Sequence, residues 1–144
     1  MYEKLGQFID GKWQQSSDKG TYEVINPATE EIIGHASKAT SDDIEKALQS
    51  AKKGLEVWKK TPPWQRSYII RRIADRIREK QDVLAKWMTL EVGKPLAEAK
   101  GEINGAADIF EWNAEETKRI FGQTVESRFE DTRVHVYYQP VGVV

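Results

Sequence analysis

Glu91 is the residue whose type and position in this sequence most suggest chemistry. At about 100° per residue it falls between Trp87 and Leu84 on the apolar arc of a predicted helix. A carboxylate on such an arc stays charged only if it has a partner. Either the helix ends early and leaves Glu91 exposed or paired with a basic residue, or Glu91 is an oxygen ligand of a cation. The turn Ile25-Asn26-Pro27 could then contribute backbone carbonyls, since hard cations bind carboxylate and carbonyl oxygens.

A second unusual pattern lies on the longest predicted helix, where two glycines share a face with two large side chains. Each glycine inside a helix costs about 1 kcal/mol relative to alanine. Four-residue spacing allows another element or a ligand to come close, so the face favours either tight helix packing or one wall of a substrate tunnel. None of its side chains would be catalytic. The face comprises Gly101, Gly105, Ile109 and Trp112.

Other chemistries find little support in the sequence. It contains no cysteine, which excludes a thiolate nucleophile, a disulfide framework and a thiolate metal site. His35 and His135 lack metal-ligand spacing. Gly93-Lys94 lacks the other residues of a phosphate loop, and no G-x-G-x-x-G is present. The residues themselves therefore identify no catalytic group and no cofactor-binding group.

Composition predicts a globular protein of one domain or part of a larger one. Of the 144 residues, 39% are hydrophobic and 31% are charged, and the net charge is -1. This balance favours neither nucleic acid nor an anionic membrane as a partner. No segment approaches the roughly 20 apolar residues that span a bilayer, and MYEKLGQFIDGKW lacks the apolar region of a secretion signal. We therefore expect a cytoplasmic protein.

Two hairpins are predicted before the helices. QFIDGKWQQS has Asp10-Gly11 as a turn that accepts positive φ. TYEVINPATEEIIGHASKA has its turn at Asn26-Pro27-Ala28-Thr29, where proline fixes φ and removes a donor. Near the other end of the chain, the β-branched and aromatic residues of Arg133–Gln139 predict a strand.

Four helices are predicted between the hairpins and that strand. The first is capped by Thr40 or Ser41 and runs to about Lys60, and the second begins at Thr61-Pro62, with threonine as the cap. The third covers about Gln81–Val92 and stops at Gly93, and the fourth runs from Pro95 to Phe121-Gly122. Helical spacing predicts buried faces made of Ile44, Ala47, Leu48, Ala51, Leu55 and Trp58 in the first; Ile69, Ile70, Ile73 and Ile77 in the second; Val83, Leu84, Trp87 and Met88 in the third; and Ile103, Ala106, Ala107, Phe110, Ala114, Thr117 and Phe121 in the fourth.

The arginines of RSYIIRRIADRIREK suggest anion binding at first sight. Asp75 and Glu79 lie on the same predicted helix, so a solvated face of intrahelical salt bridges is the favoured interpretation.

Three segments of the chain carry a resemblance to a known family. INPATEEIIG (25–34), LEVGKPLAEAKGEINGAADIFEWNAEETKRIFG (90–122) and YYQPVGVV (137–144) resemble the amino-terminal part of NAD(P)-dependent aldehyde dehydrogenases, most closely the succinate-semialdehyde group. The resemblance implies an α/β fold of the aldehyde-dehydrogenase type, with residues 1–144 as its amino-terminal portion. Residues 1–124 would form the hairpins and helical layer. Residues 125–144 would start an oligomerisation arm that leads into a missing cofactor domain.

The resemblance also implies a function for the full-length enzyme. A cysteine would attack a small aldehyde, hydride would pass from the thiohemiacetal to NAD or NADP, and water would release the acid. Those catalytic residues would lie beyond this chain, so the chain alone is expected to be inactive and to bind no cofactor. A homo-oligomer, dimer or tetramer, would form through the 133–144 strand. The alternative is a truncated product or a non-catalytic interaction module whose strand adds to a partner's sheet.

Two sets of residues match family positions. Val24, Ile25 and Glu91 match a structural Na⁺ or K⁺ site built from two backbone carbonyls and an acidic side chain. The family often has aspartate where this sequence has the longer glutamate. Gly105, Ile109 and Trp112 match a helix that borders the substrate tunnel, which implies substrate contact for them.

Overall fold

The computed structural model describes residues 5–144, which form three antiparallel hairpins and four α-helices. Residues 1–4 lie outside the described part, and so does the start of the segment considered above for a secretion signal. Within the described residues, no helix combines the length and apolar character needed to cross a membrane.

The first hairpin pairs β1 (Gln7–Ile9) with β2 (Lys12–Gln14). Its two turn residues both have positive φ, 53° at Asp10 and 75° at Gly11, as a two-residue turn that follows the strand twist requires. Phe8 faces Trp13 across the ladder, with ring centroids 5.3 Å apart. The predicted hairpin and its turn are confirmed.

The second hairpin pairs β3 (Thr21–Ile25) with β4 (Ile32–Ser37). The buried Asn26 shapes the turn between them, because its Oδ1 accepts a hydrogen bond from the backbone N–H of Ala28 at 2.9 Å. The register shifts between Val24 and Ile25, so the ladder is irregular next to the turn. This predicted hairpin is also confirmed.

Helix α1 spans Ser41–Trp58 and begins with a capping box. Thr40 Oγ1 accepts from the backbone N–H of Asp43 at 3.3 Å, and the Asp43 carboxylate accepts from the backbone N–H of Thr40 at 3.1 Å. The predicted helix is confirmed, and of its two candidate caps, Thr40 and Ser41, the structure has Thr40 at the N-cap position. Its apolar face is covered less than predicted, because Ile44, Leu48 and Trp58 remain exposed in the described chain.

Helix α2 spans Pro63–Glu79, and its cap differs from the prediction. Pro62 occupies the N-cap position and Pro63 the first helical position. The hydroxyl of Thr61 donates instead to the carbonyl of Val57 at 3.0 Å, so it closes the end of α1. The prediction that Thr61 caps the second helix was therefore wrong.

Helix α3 spans Gln81–Val92 and ends, as predicted, at Gly93, whose φ of 77° is left-handed. The predicted burial of Val83 and Trp87 was wrong, since both are exposed. The small side chain of Ala85 is the buried one, and Leu84 and Met88 pack beside it.

Helix α4 spans Leu96–Glu116 and packs against both α2 and α3. A 3₁₀ turn over Thr117–Arg119 ends the helical segment before the predicted limit, and Phe121 is exposed. Small side chains dominate the buried positions, which allows the helices to approach closely. The buried apolar residues are Ala74, Ala85, Ala99, Ile103, Ala107 and Ala114.

Ion pairs join α2 to α4. Arg71 pairs with Glu111 at 2.8 Å and also with Glu115, and Arg78 pairs with Asp108 and Glu111, each at 2.7 Å. The prediction of intrahelical pairs holds for Arg76 and Glu79, at 2.7 Å. The sequence did not indicate the pairing between helices, because the partners lie 30 to 44 residues apart.

The third hairpin pairs β5 (Gln123–Glu126) with β6 (Arg133–Val136). The prediction extended this last strand to Gln139, and the 133–144 segment was treated as one strand. The ladder stops at Val136 because its partner there, Gln123, is the first residue of β5. β5 itself was not predicted, and the proposed division at residue 124 falls inside it.

Candidate functional site

The end of α3 meets the turn of the second hairpin. A β-carbon placed on Gly93 would lie 3.0 Å from Cγ of Pro27, so no side chain fits there without a shift. The structure thus brings together the strand that holds Val24 and Ile25 and the helix that holds Glu91, although Glu91 lies 66 positions after Ile25 in the sequence.

The hairpin side of this junction is held by its own backbone. Asn26 donates its N–H to the carbonyl of Glu31 at 2.9 Å and accepts from the N–H of Glu30 at 2.8 Å. The irregularity between Val24 and Ile25 disturbs the ladder at the two residues whose carbonyls the predicted cation site uses. Val24 is half-buried, and Ile25 is exposed.

Glu91 lies in the last turn of α3, where it is exposed and interacts with a neighbouring group. Its exposure agrees with the first of the two interpretations of its position, but α3 does not end early, since it continues past Glu91 to Val92. Residues 5–144 contain no cluster of three or more histidine or acidic side chains that could hold a metal ion. A monovalent site built mainly from carbonyls does not need such a cluster, so Val24, Ile25 and Glu91 stay a predicted site.

The glycine face of α4 is open in the described chain. β-carbons on Gly101 and Gly105 would meet no atom of another element within 4 Å. Ile109 and Trp112 are 65% and 70% exposed. Tight packing against another described element therefore does not explain these glycines, and the role of Gly105, Ile109 and Trp112 in a substrate tunnel remains a prediction.

Asp43 forms a polar centre that the sequence interpretation missed. Its side chain belongs to a residue only 3% exposed, and Oδ2 accepts from the backbone N–H groups of Thr40 and Ser17, each at 3.1 Å. Oδ2 also lies 3.3 Å from Ser16 Oγ and 3.4 Å from Gln7 Nε2. One carboxylate therefore ties the first hairpin and the loop after it to the start of α1.

These hydrogen bonds favour the charged form of the carboxylate. Donation from the backbone N–H groups of Thr40 and Ser17 holds the pKa of Asp43 well below its ordinary value. The spacing Thr40-x-x-Asp43 is a capping-box signal that could have indicated half of this arrangement. The contribution of Ser16 and Ser17 comes from a distant loop and has no local signal.

Comparison with known proteins agrees with the family resemblance in the sequence. The aldehyde dehydrogenase family profile matches residues 13–144. Glutarate-semialdehyde dehydrogenase of Pseudomonas aeruginosa is 44% identical over 136 residues, which are 94% of this chain and 28% of that protein. NADP⁺-dependent succinate-semialdehyde dehydrogenase GabD of Escherichia coli is 42% identical over 135 residues, with the same coverage of both chains.

Comparison of the fold with solved structures also agrees with the family resemblance. A solved structure described as an E. coli NADP-dependent enzyme superposes with a TM-score of 0.87 at 39% identity, covering 92% of this chain and 27% of that one. The chain thus spans little more than a quarter of the length of these relatives and corresponds to their amino-terminal part. The family and fold predicted from the sequence motifs are confirmed, and the chain belongs to the aldehyde dehydrogenase family.

Proposed function

We propose that this chain forms the amino-terminal scaffold of an NAD(P)-dependent dehydrogenase that oxidises a short semialdehyde to the corresponding dicarboxylic acid. The observation that carries the proposal is its identity of 44% and 42% with a glutarate- and a succinate-semialdehyde dehydrogenase over nearly the whole chain. In such an enzyme a cysteine forms the thiohemiacetal and NAD(P) accepts the hydride. This sequence has no cysteine, so the proposal assigns it no catalytic or cofactor-binding residue.

The scaffold role rests on two regions. We assign residues 1–124 to a hairpin and helical layer, supported by the cluster of α2, α3 and α4 around Ile103. We assign residues 125–144 to the start of an arm that pairs subunits. The exposure of Tyr137, Tyr138 and Val141 supports this assignment, since large apolar side chains are normally covered in a stable assembly.

Two accessory sites belong to the proposal. The first is a Na⁺ or K⁺ site formed by the carbonyls of Val24 and Ile25 with Glu91, supported by the contact between Gly93 and Pro27. The second is a tunnel wall formed by Gly105, Ile109 and Trp112. Its support is the open space above Gly105 and the exposure of the other two side chains. The cytoplasmic location remains a prediction from composition alone.

A chimera tests the proposal directly. The matching amino-terminal segment of the E. coli succinate-semialdehyde dehydrogenase would be replaced by this chain, and reduction of NADP⁺ would be measured with succinate semialdehyde, glutarate semialdehyde and an uncharged aldehyde. We expect a folded oligomer that prefers the two semialdehydes. The chain without the rest of the enzyme is expected to show no turnover.

Two controls sharpen this experiment. A chimera carrying the catalytic-cysteine-to-alanine change in the E. coli part must lose activity while keeping its oligomeric state. A chimera that folds and assembles but oxidises none of the aldehydes would contradict the scaffold proposal. Turnover by the separate 144-residue chain would contradict the assignment of all chemistry to other residues.

A further inference from the structure

A polar pocket lies between the first hairpin and α1. Its volume is about 340 Å³, within the range of small-molecule sites. Lys12 and Gln14 of β2 line one side, and Lys46, Gln49 and Lys53 of α1 line the other. Two elements therefore direct three lysine side chains at one cavity.

No salt bridge occupies these three lysines, a property they share with most lysines of residues 5–144. Among residues 5–144, no carboxylate lies within salt-bridge distance of Lys12, Lys46 or Lys53, whereas Lys100 and Lys118 each have such a partner at 2.7 and 2.6 Å. Asp10 contributes the one carboxylate of the pocket lining, and it accepts a hydrogen bond from Ser50 at 3.3 Å. Among the lining side chains, three ammonium groups and one carboxylate leave an excess of positive charge, and Glu45 lies beside the lining through its contact with Gln49.

The walls of the pocket are joined at two places. At one, Ser50 Oγ on α1 donates to Asp10 Oδ1 in the hairpin turn. At the other, Gln7 on β1 donates to the buried carboxylate of Asp43 at 3.4 Å. These contacts link hairpin and helix without using any of the three lysines, so the lysines are available to a ligand.

The spacing on α1 suits a ligand with more than one charge. Lys46 and Lys53 are seven residues apart, which places them on one face about 10 Å apart along the helix axis. Gln49 lies between them, and its Nε2 donates one N–H to Glu45 Oε1 at 3.1 Å, which leaves the second N–H for a ligand. Lys12 faces them from the hairpin. An oxyanion bound among them would accept charge-assisted hydrogen bonds from more than one ammonium group.

We propose that this pocket binds a small oxyanion with at least two negative charges, of the phosphoryl class. The site consists of Lys12, Lys46 and Lys53, with Gln49 as an additional donor. It is separate from the proposed cation site, the tunnel wall and the oxidation chemistry, so its test does not depend on the proposed function.

The test is calorimetric titration of the full chain with inorganic pyrophosphate at low ionic strength. We expect saturable binding of one pyrophosphate per chain, weakening as salt is added. The double variant Lys46→Gln/Lys53→Gln should lose about tenfold in affinity for each lysine removed, because each removes one charged hydrogen-bond donor. A tenfold loss corresponds to about 1.4 kcal/mol of binding free energy. Lysine-to-glutamine changes at these exposed positions leave the backbone contacts intact.

The matched control is Lys52→Gln/Lys60→Gln, which removes the same charge from exposed lysines outside the pocket. It should bind pyrophosphate within about twofold of the unmodified chain. Amide NMR shifts on titration should concentrate at Gln49 and Lys12. Equal loss in both double variants, shifts spread over all lysines, or no saturable binding would each overturn the proposal.

Discussion

Gly93 and Pro27 come together where the end of α3 meets the second hairpin, with 3.0 Å between Cγ of the proline and the position a glycine β-carbon would occupy. Gly93 is thus fixed by two independent requirements. Its φ of 77° is left-handed, and the space beside it is already filled. The position of Glu91, the residue that α3 contributes to the proposed cation site, depends on this junction.

Gly93→Ala should destabilise the chain by about 1–2 kcal/mol from the left-handed backbone alone, with contact against Pro27 adding to it. The measurement is urea unfolding followed by circular dichroism. Gly101→Ala is the control, because Gly101 lies inside α4 with open space around it. That change should stabilise by up to about 1 kcal/mol. Equal effects of the two substitutions would disprove this account of Gly93.

Asp43→Asn should lower the midpoint of thermal unfolding at pH 7, because the charged acceptor of the backbone N–H groups of Thr40 and Ser17 becomes a neutral amide. The pKa of Asp43 is lowered in the folded chain, so its stabilising effect is complete above the unfolded pKa of about 3.9. The effect is lost as pH falls toward the lower folded pKa. The difference in unfolding midpoint between the two proteins should therefore shrink below about pH 4.

Asp42→Asn is the matched control for Asp43. Asp42 is the exposed neighbour in the same first turn and has the same favourable position near the helix N-terminus. Its substitution should change the midpoint at pH 7 much less than that of Asp43, because none of the hydrogen bonds that hold the Asp43 carboxylate is lost. A similar pH profile for both variants would show that the helix dipole, and not the hydrogen bonds to Asp43, causes the effect.

Ile103→Ala should cost about 2–5 kcal/mol, the range for large-to-small changes in a packed core. Ile103 is 9% exposed and packs with Ala85 and Ala99 where α3 and α4 meet. Ile109→Ala on the same helix removes the same atoms from a side chain that is 65% exposed, and should change stability by less than about 0.5 kcal/mol. A large loss at Ile109, measured by the same urea titration, would indicate that another copy of the chain covers that face.

Glu91→Gln tests the proposed cation site in the active chimera. The unmodified chimera should unfold at a higher temperature in K⁺ or Na⁺ than in tetramethylammonium at equal ionic strength, because a bound ion stabilises the folded state. The variant should lose most of this difference. Glu98→Gln, in the first turn of α4, is the control and should keep it. A cation effect of the same size in the Glu91 variant would remove Glu91 from the site.

Local signals predicted most of the fold. Asp10-Gly11, Thr40 and Gly93 each mark a turn or helix end through their own conformational preferences, and all three were placed correctly. Thr61 was misassigned because it lies between two helices and its hydroxyl hydrogen-bonds to the end of α1, not to the start of α2.

Contacts between distant segments were the part that the sequence did not predict. Burial of Ala85 rather than Trp87 depends on how closely α3 approaches α4. Helical periodicity predicts which side chains share a face, but it does not predict the distance between two helices. The sequence shows that Arg71 carries a charge, but it does not show which carboxylates pair with it. Glu111 and Glu115 become its neighbours only when α2 packs against α4. The pocket of three lysines was missed for the same reason, since Lys12 and Lys46 line one pocket only when the hairpin folds onto α1.

The predominance of alanine in the helical core has a consequence for sequence variation. Five alanines are fully buried in the bundle of α2, α3 and α4, where α4 packs against the other two helices. Enlarging any of them would force the helices apart, at a typical cost of about 1–3 kcal/mol. These small buried side chains are therefore sensitive to enlargement, whereas exposed aromatics such as Trp64 and Tyr68 can be exchanged without disturbing that spacing.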